Sequence, residues 1–128
     1  MKLAHVALSV KDINRSKEFY ENLFGLKTVW QGEKRESGKK FMFLEDENGT
    51  RIELFEDKNP IALTENLRDT QKIGMKHLAF EVDNIESFLE SAEKYTINKI
   101  TEIKQGTSVK RYIFIADTDN IPIELVEQ

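Results

Sequence analysis

Lys76-His77-Leu78-Ala79-Phe80-Glu81-Val82-Asp83 decides how this chain is read, because it repeats in outline an earlier stretch, Leu3-Ala4-His5-Val6-Ala7-Leu8-Ser9-Val10. An offset of 72 residues superposes His5 on His77, Ala7 on Ala79, Val10 on Val82 and Ile13 on Ile85. The chain has two histidines, and this alignment places both at the same internal position. Each stands at the mouth of a run that alternates on a two-residue period, the mark of a half-buried strand. In the first run Val6, Leu8 and Val10 share one face, and His5, Ala7 and Ser9 share the other. The apolar face suits a covering helix, while the small, polar face leaves room beside the histidine.

A second match closes the repeat. Ile52-Glu53-Leu54-Phe55-Glu56 aligns with Ile123-Glu124-Leu125-Val126-Glu127 at an offset of 71. Each half therefore opens on a histidine and ends on a strand glutamate, His5 with Glu53 and His77 with Glu124.

Between these markers the pattern is that of one strand, one helix and three strands. Asp12 is an N-cap for a helix whose stripe is Ile13, Ser16, Phe19, Tyr20, Leu23 and Phe24, and Gly25 ends it. Strands are expected over 26–31, 39–44 and 50–55, with turns at 35–38 and at Asp46-Glu47-Asn48-Gly49. In the second half a strand is expected over 75–82. Asp83 and Glu86 have capping-box spacing ahead of the stripe Ile85, Phe88, Leu89, Ala92 and Tyr95. Strands over 100–104, 109–116 and 121–126 follow, with a turn at Asp117-Thr118-Asp119-Asn120. The stretch 56–73 is polar, contains Pro60 and reads as the connection between halves, with room for a short helix over 63–68. The expected organisation is a single α+β domain over 1–128, with half-domains 1–57 and 74–128 joined by 58–73.

Composition narrows the function class. A chain of 128 residues with 39% hydrophobic residues and eight phenylalanines can bury one core. The net charge of −4, with Lys and Arg interspersed among acids, gives no support to nucleic-acid binding. There is no cysteine, hence no disulfide or thiolate ligand, and the cytoplasm is the default compartment. No apolar run reaches membrane-spanning length, and the start lacks a signal-peptide core. Two imidazoles and two carboxylates form a ligand set suited to one divalent Ni, Zn, Co, Mn or Fe ion. One strand histidine, or one Ile-Glu-Leu, is ordinarily structural; recurrence of both at matched places turns the reading toward metal.

The duplicated β-α-β-β-β pattern, the His-x-Ala-x-x-Val-x-Asp opening, Ser16-x-x-Phe19-Tyr20 with Leu23-x-Gly25, and the closing Ile-Glu-Leu resemble the vicinal oxygen chelate superfamily. That group includes glyoxalase I, fosfomycin-resistance enzymes, methylmalonyl-CoA epimerase, extradiol dioxygenases and metal-free bleomycin-binding proteins. The resemblance covers almost the whole chain. It implies two βαβββ modules forming a curved, partly open barrel-like sheet with helices outside, commonly as a homodimer. The set is most similar to that of bacterial glyoxalase I. By that resemblance His5, Glu53, His77 and Glu124 hold the metal and Glu124, backed by Glu53, moves a proton beside a carbonyl by way of an enediolate. The epimerases typically carry glutamine at the position of Glu53, and the fosfomycin and dioxygenase sites use three protein ligands.

The departures concern substrate. Ser9 and Asp57 stand where similar glutathione-using enzymes carry arginine and asparagine, so a small vicinal-oxygen substrate with another thiol or none is expected. Ser9, Arg51 and Arg111 are the candidates for contacting it. The rival readings are a ligand-sequestering resistance protein without turnover, and a dioxygenase or resistance transferase. Members complete their metal sites within one chain or across a dimer, and the resemblance leaves both open.

Overall fold

The computed structural model describes residues 1–128. It divides into two compact units, Met1–Ala62 and Leu63–Gln128. In the first, β1 (Val6–Ser9) leads to α1 (Ile13–Phe24), then β2 (Lys27–Lys34), β3 (Lys39–Glu45) and β4 (Arg51–Glu56). In the second, β5 (Leu78–Glu81) leads to α2 (Ile85–Ser91), the short β6 (Asn98–Lys99) and β7 (Lys104–Gln105), then β8 (Arg111–Ala116) and β9 (Pro122–Glu127).

The sheets share one topology. The first runs β1-β4-β3-β2 and the second β5-β9-β8-β6, with β7 also pairing β8. In each, the opening strand lies parallel to the closing one: Ala7 pairs with Glu53 and Ala79 with Glu124. Neither sheet closes on itself. The βαβββ duplication expected from sequence is the architecture of both units.

In the first unit alternation sorts the strands as expected. Met42, Leu44, Ile52 and Leu54 are buried, as are Ile13, Ser16 and Tyr20 of α1, which packs on β2, β3 and β4. Fully burying a leucine such as Leu44 or Leu54 stabilises the fold by about 1.5–3 kcal/mol. Asp12 Oδ1 accepts from the amides of Asn14 and Arg15, and Gly25, at φ 68°, closes the helix. In the second unit Ile85, Ile113, Ile115, Ile123 and Leu125 form the equivalent core.

The hairpin turns are copies of one another. Asp46 Oδ1 accepts from the amides of Asn48 and Thr50, and Asp117 Oδ1 from those of Asp119 and Ile121. The residue that must take positive φ is Gly49 in one turn (81°) and Asn120 in the other (65°). Glycine and asparagine tolerate that region best.

Several expectations are corrected. The second helix is capped by Asn84, whose Oδ1 accepts from Ser87 N at 2.8 Å, and not by Asp83. Residue 84 is the last extended one, and this fixes it as the cap. The helix stops at Ser91 because its end tightens into three-residue turns, Glu93 N to Glu90 O and Tyr95 N to Ala92 O. Tyr95 therefore lies past the helix. The strand expected over 100–104 is replaced by β6 and β7 on either side of it. There Ile100 N and Thr101 N both donate to Phe114 O, while Thr101 Oγ1 accepts from Phe114 N, so the ladder breaks. No helix forms over 63–68. Asn66 and Asp69 fold the chain into turns by accepting from backbone amides two residues on, a geometry that competes with helix.

Candidate functional site

Each unit carries a His–Glu pair at the same place. His5 Nε2 lies 3.1 Å from Glu53 Oε2, and His77 Nε2 lies 3.1 Å from Glu124 Oε2. Both imidazoles sit one residue ahead of their strands and are reached by solvent. Side-chain exposure is 38% for His5 and 30% for His77, and the glutamates are more covered, at 15% and 19%. The alternation that buries Ile52 and Leu54, or Ile123 and Leu125, turns Glu53 and Glu124 to the face away from the core.

A third member of each pair escaped the sequence reading. Phe43 faces Glu53 across β3 and β4, and Phe114 faces Glu124 across β8 and β9. The His5 ring meets Phe43 edge-on with centroids 5.1 Å apart, and the His77 ring meets Phe114 in the same way at 5.0 Å. Such edge contacts lock ring orientation, so each imidazole presents Nε2 to its carboxylate. The signal was available. The offset of 71 that aligns the last strands also aligns Phe43 with Phe114.

The donor chemistry fits a divalent ion. Two ligand atoms each about 2.0–2.2 Å from one ion and at right angles lie about 3 Å apart. The 3.1 Å between Nε2 and Oε2 matches that spacing in both units, and it is also an ordinary hydrogen bond. Each pair is a group of two. No cluster of three or more His, Cys, Asp or Glu side chains that could hold a metal is gathered in the structure.

The other sequence candidates have varied surroundings. Ser9 is exposed on the histidine face of β1, opposite Phe55 in register. Asp57 is exposed beyond β4. Arg51 Nε bonds Glu45 at 2.6 Å, and its guanidinium lies 5.8 Å from the Phe43 ring. Arg111, expected as a substrate contact, is instead occupied by carboxylates. It alternates with Phe114 and shares the side of Ile113 and Ile115. There Nη1 and Nη2 bond both oxygens of Glu86, at 2.7 and 2.8 Å, and Nε and Nη2 bond Glu127 at 2.7 and 2.6 Å.

The network shifts the protonation equilibria of all three of its members. Hydrogen bonds from Arg111, then from the Ile85 amide, hold the Glu127 carboxyl down at about 2 against the opposing effect of desolvation. The same arginine lowers Glu86, and the two carboxylates push Arg111 further up. The network fastens the start of α2 to β9 and is a scaffold feature.

Comparison with known proteins identifies the family. The family model described as Glyoxalase/Bleomycin resistance protein/Dioxygenase superfamily matches residues 2–125. Human mitochondrial methylmalonyl-CoA epimerase is 31% identical over 122 residues, covering 92% of this chain and 68% of that protein. A lactoylglutathione lyase of Neisseria meningitidis is 27% identical over 135 residues, covering 100% and 91%. Among solved structures, the fosfomycin resistance protein FosX of Listeria monocytogenes, complexed with Mn(II) and sulfate, shares the fold. Its TM-score is 0.74 at 22% identity, over 99% of this chain and 92% of that one. No helix is long and apolar enough to cross a membrane. With two βαβββ units and a family match over nearly its whole length, the chain belongs to the glyoxalase, bleomycin resistance protein and dioxygenase superfamily.

Proposed function

We propose that this protein is a metal-dependent enzyme of glyoxalase I type, moving a proton between neighbouring carbons of a small vicinal-oxygen molecule such as a 2-oxoaldehyde adduct. The observation that carries the reading is the recurrence of one half-site, His Nε2 at 3.1 Å from Glu Oε2 with a phenylalanine edge on the imidazole, in both units. A structural copy would keep the fold-bearing positions, yet here it keeps two polar side chains on the face that does not build the core.

His5, Glu53, His77 and Glu124 would hold one divalent ion per chain, the halves coming from one chain or from two copies in a dimer. Such an ion supplies Lewis-acid stabilisation of the charge that develops on the substrate oxygens. Proton movement falls to the protein. Glu124 takes the proton from the carbon beside the carbonyl and returns it to the neighbouring carbon. A carboxylate suits both steps because it accepts a proton and releases it again. Glu53 serves as a ligand and as the less engaged of the two bases. Its being glutamate and the fourth ligand favours this chemistry over epimerase or resistance-transferase reactions. Ser9 and Arg51 border the first half-site, and Ser9 with Asp57 makes glutathione a poor thiol partner: a hydroxyl lacks the two-pronged hold on a carboxylate, and an aspartate repels one.

The test is metal content and affinity for Ni, Zn, Co, Mn and Fe in the natural protein, His5→Ala and His77→Ala. The expected result is one ion per natural chain and a loss of affinity in both variants. Full affinity in either variant removes that half-site from the ligand set, and no binding of any of the five ions ends the reading. Turnover of methylglyoxal with a panel of thiols then identifies the substrate, with weak activity expected for glutathione.

A further inference from the structure

Arg68 lies in the stretch that reads from sequence as a connection, yet it reaches the second half-site. Its guanidinium carbon stands 4.5 Å from the centroid of the Phe114 ring. Phe114 is 9% exposed and is the ring that touches His77, which in turn bonds Glu124. Arg68, Phe114, His77 and Glu124 thus form one chain of contacts within the second unit.

The backbone that delivers Arg68 is fixed. Asn66 Oδ1 accepts from Arg68 N at 3.1 Å, Asn66 O accepts from Asp69 N, and Asp69 Oδ1 accepts from Gln71 N. These consecutive turns hold Leu67, Arg68 and Asp69 partly covered between exposed neighbours. The side chain is placed by structure, at low entropic cost to any ligand that uses it.

One atom of that side chain is unsatisfied: Arg68 Nε is buried and has no hydrogen-bond partner. A buried charged donor without an acceptor is costly, and native proteins keep few of them. Arg111 makes the contrast, with its Nε and both terminal nitrogens bonded to carboxylates. Arginine stacked on an aromatic face keeps its N–H groups in the plane of the guanidinium, directed at the ring's border. Nε–H and the adjacent terminal N–H form a fork that matches two oxygens of a planar carboxylate.

We propose that Arg68 anchors a carboxylate of the small molecule bound beside His77 and Glu124, and so selects substrates with an acid group next to the reacting carbons. The proposal rests on the reading of that pair as part of the reaction site, and it replaces Arg111 as the anion-holding arginine. Lysine at this position would keep the charge and a cation–π contact but lose the planar fork.

The experiment uses the full-length, metal-free, 15N-labelled protein, with propionate as the probe and inorganic phosphate in parallel. The Nε–H resonance of Arg68 is identified by its disappearance in Arg68→Met. The expected result is a saturable shift of that resonance with propionate, and weaker propionate binding in Arg68→Met by about 10–100-fold, the range for one charged hydrogen-bonded contact. Arg68→Lys falls between the two. No saturable shift with either anion, or unchanged propionate affinity in Arg68→Met, overturns the proposal and leaves Arg68 a cover for Phe114. A response to phosphate without one to propionate overturns the carboxylate assignment. Metal affinity of Arg68→Met, measured separately, should equal that of the natural protein. Failure of the natural protein to bind metal would count against the proposed reaction and not against this anchor.

Discussion

The two units have the same half-site and opposite behaviour on the reverse side of the sheet. On one face His5, Glu53 and Phe43 repeat as His77, Glu124 and Phe114 with distances that agree to about a tenth of an ångström. On the other face Lys40 and Glu56 make one contact of 3.3 Å, where the aligned Arg111 donates two hydrogen bonds to Glu127 and two more to Glu86. The position aligned with Glu86 is Asn14. A cavity of about 330 Å3, lined by Asn14, Gln31, Lys40 and Met42 among others, opens in the first unit at the aligned place. Repeats diverge where only packing is at stake. That both half-sites remained alike while the scaffold behind them changed is an argument for shared chemistry at the half-sites.

The largest expected effect tests whether that likeness extends to catalysis. Glu124→Gln keeps an oxygen for the metal but cannot carry a proton, so it should retain most metal while kcat falls by about 10²–10⁴-fold. Glu53→Gln should lose less. Metal content and kcat for both variants decide, and a dead Glu53→Gln beside an active Glu124→Gln would move the base to the first unit. Next in size is the pair of phenylalanines. Phe114 is nearly buried beneath Arg68, and Phe114→Ala should cost about 3–5 kcal/mol in urea unfolding. Phe43 is half-buried, with Trp30 beside it 51% exposed, and Phe43→Ala should cost about 1–2 kcal/mol. Equal costs would contradict the difference in cover between the two faces.

These contrasts mark what was readable in the amino-acid order. The duplication, the strands of the first sheet, both hairpin turns and the cap at Asp12 follow from periodicity and from turn residues whose backbone needs are local. The His–Glu pairs were legible because the offset of 71 or 72 repeats them. Phe43 and Phe114 obey the same offset, but a strand phenylalanine has core packing as its ordinary role, and only the register across β3–β4 and β8–β9 reveals the edge contact. The carboxylate partners of Arg111 were not legible, because alternation alone does not say which charged strand residue meets a carboxylate; Glu86 and Glu127 lie 25 and 16 residues away from it. Arg68 was illegible for a different reason. A polar stretch with Pro60 gives no period, and the turns that aim the arginine depend on side-chain bonds from Asn66 and Asp69.

Acid should distinguish the scaffolds. Glu127 is held at about 2, below its ordinary 4.5, chiefly by Arg111. A depressed carboxyl contributes stability that is fully present above its unfolded value and is lost as pH falls through the folded one. The second unit should therefore lose stability progressively from about pH 4.5 down to about 2. In Glu127→Gln that part of the pH dependence should disappear, and stability at neutral pH should be lower. Thermal unfolding of both proteins from pH 7 to pH 2 checks it; an unchanged slope in the variant would mean that other carboxylates govern the acid limb.

The smallest effect comes from writing the second unit's clamp into the first. Asn14→Glu with Lys40→Arg supplies the two residue types found at the aligned positions, with Glu56 already in place of Glu127. A glutamate in the first turn of α1 also meets the positive end of the helix dipole, and α1 has no acid there now. The cavity beside Asn14 and Lys40 offers room for the longer guanidinium. The gain is limited, because Lys40 is exposed and a pair reached by water contributes about 0–1 kcal/mol. The double variant should therefore be more stable by about 0.5 kcal/mol, with neither single change giving the sum. High salt should remove most of the gain, since exposed charges are screened within about 10 Å at 0.1 M. Additive single effects, or a gain unaltered by salt, would show that the arginine acts through packing in the cavity and that charge pairing is not what separates the two scaffolds.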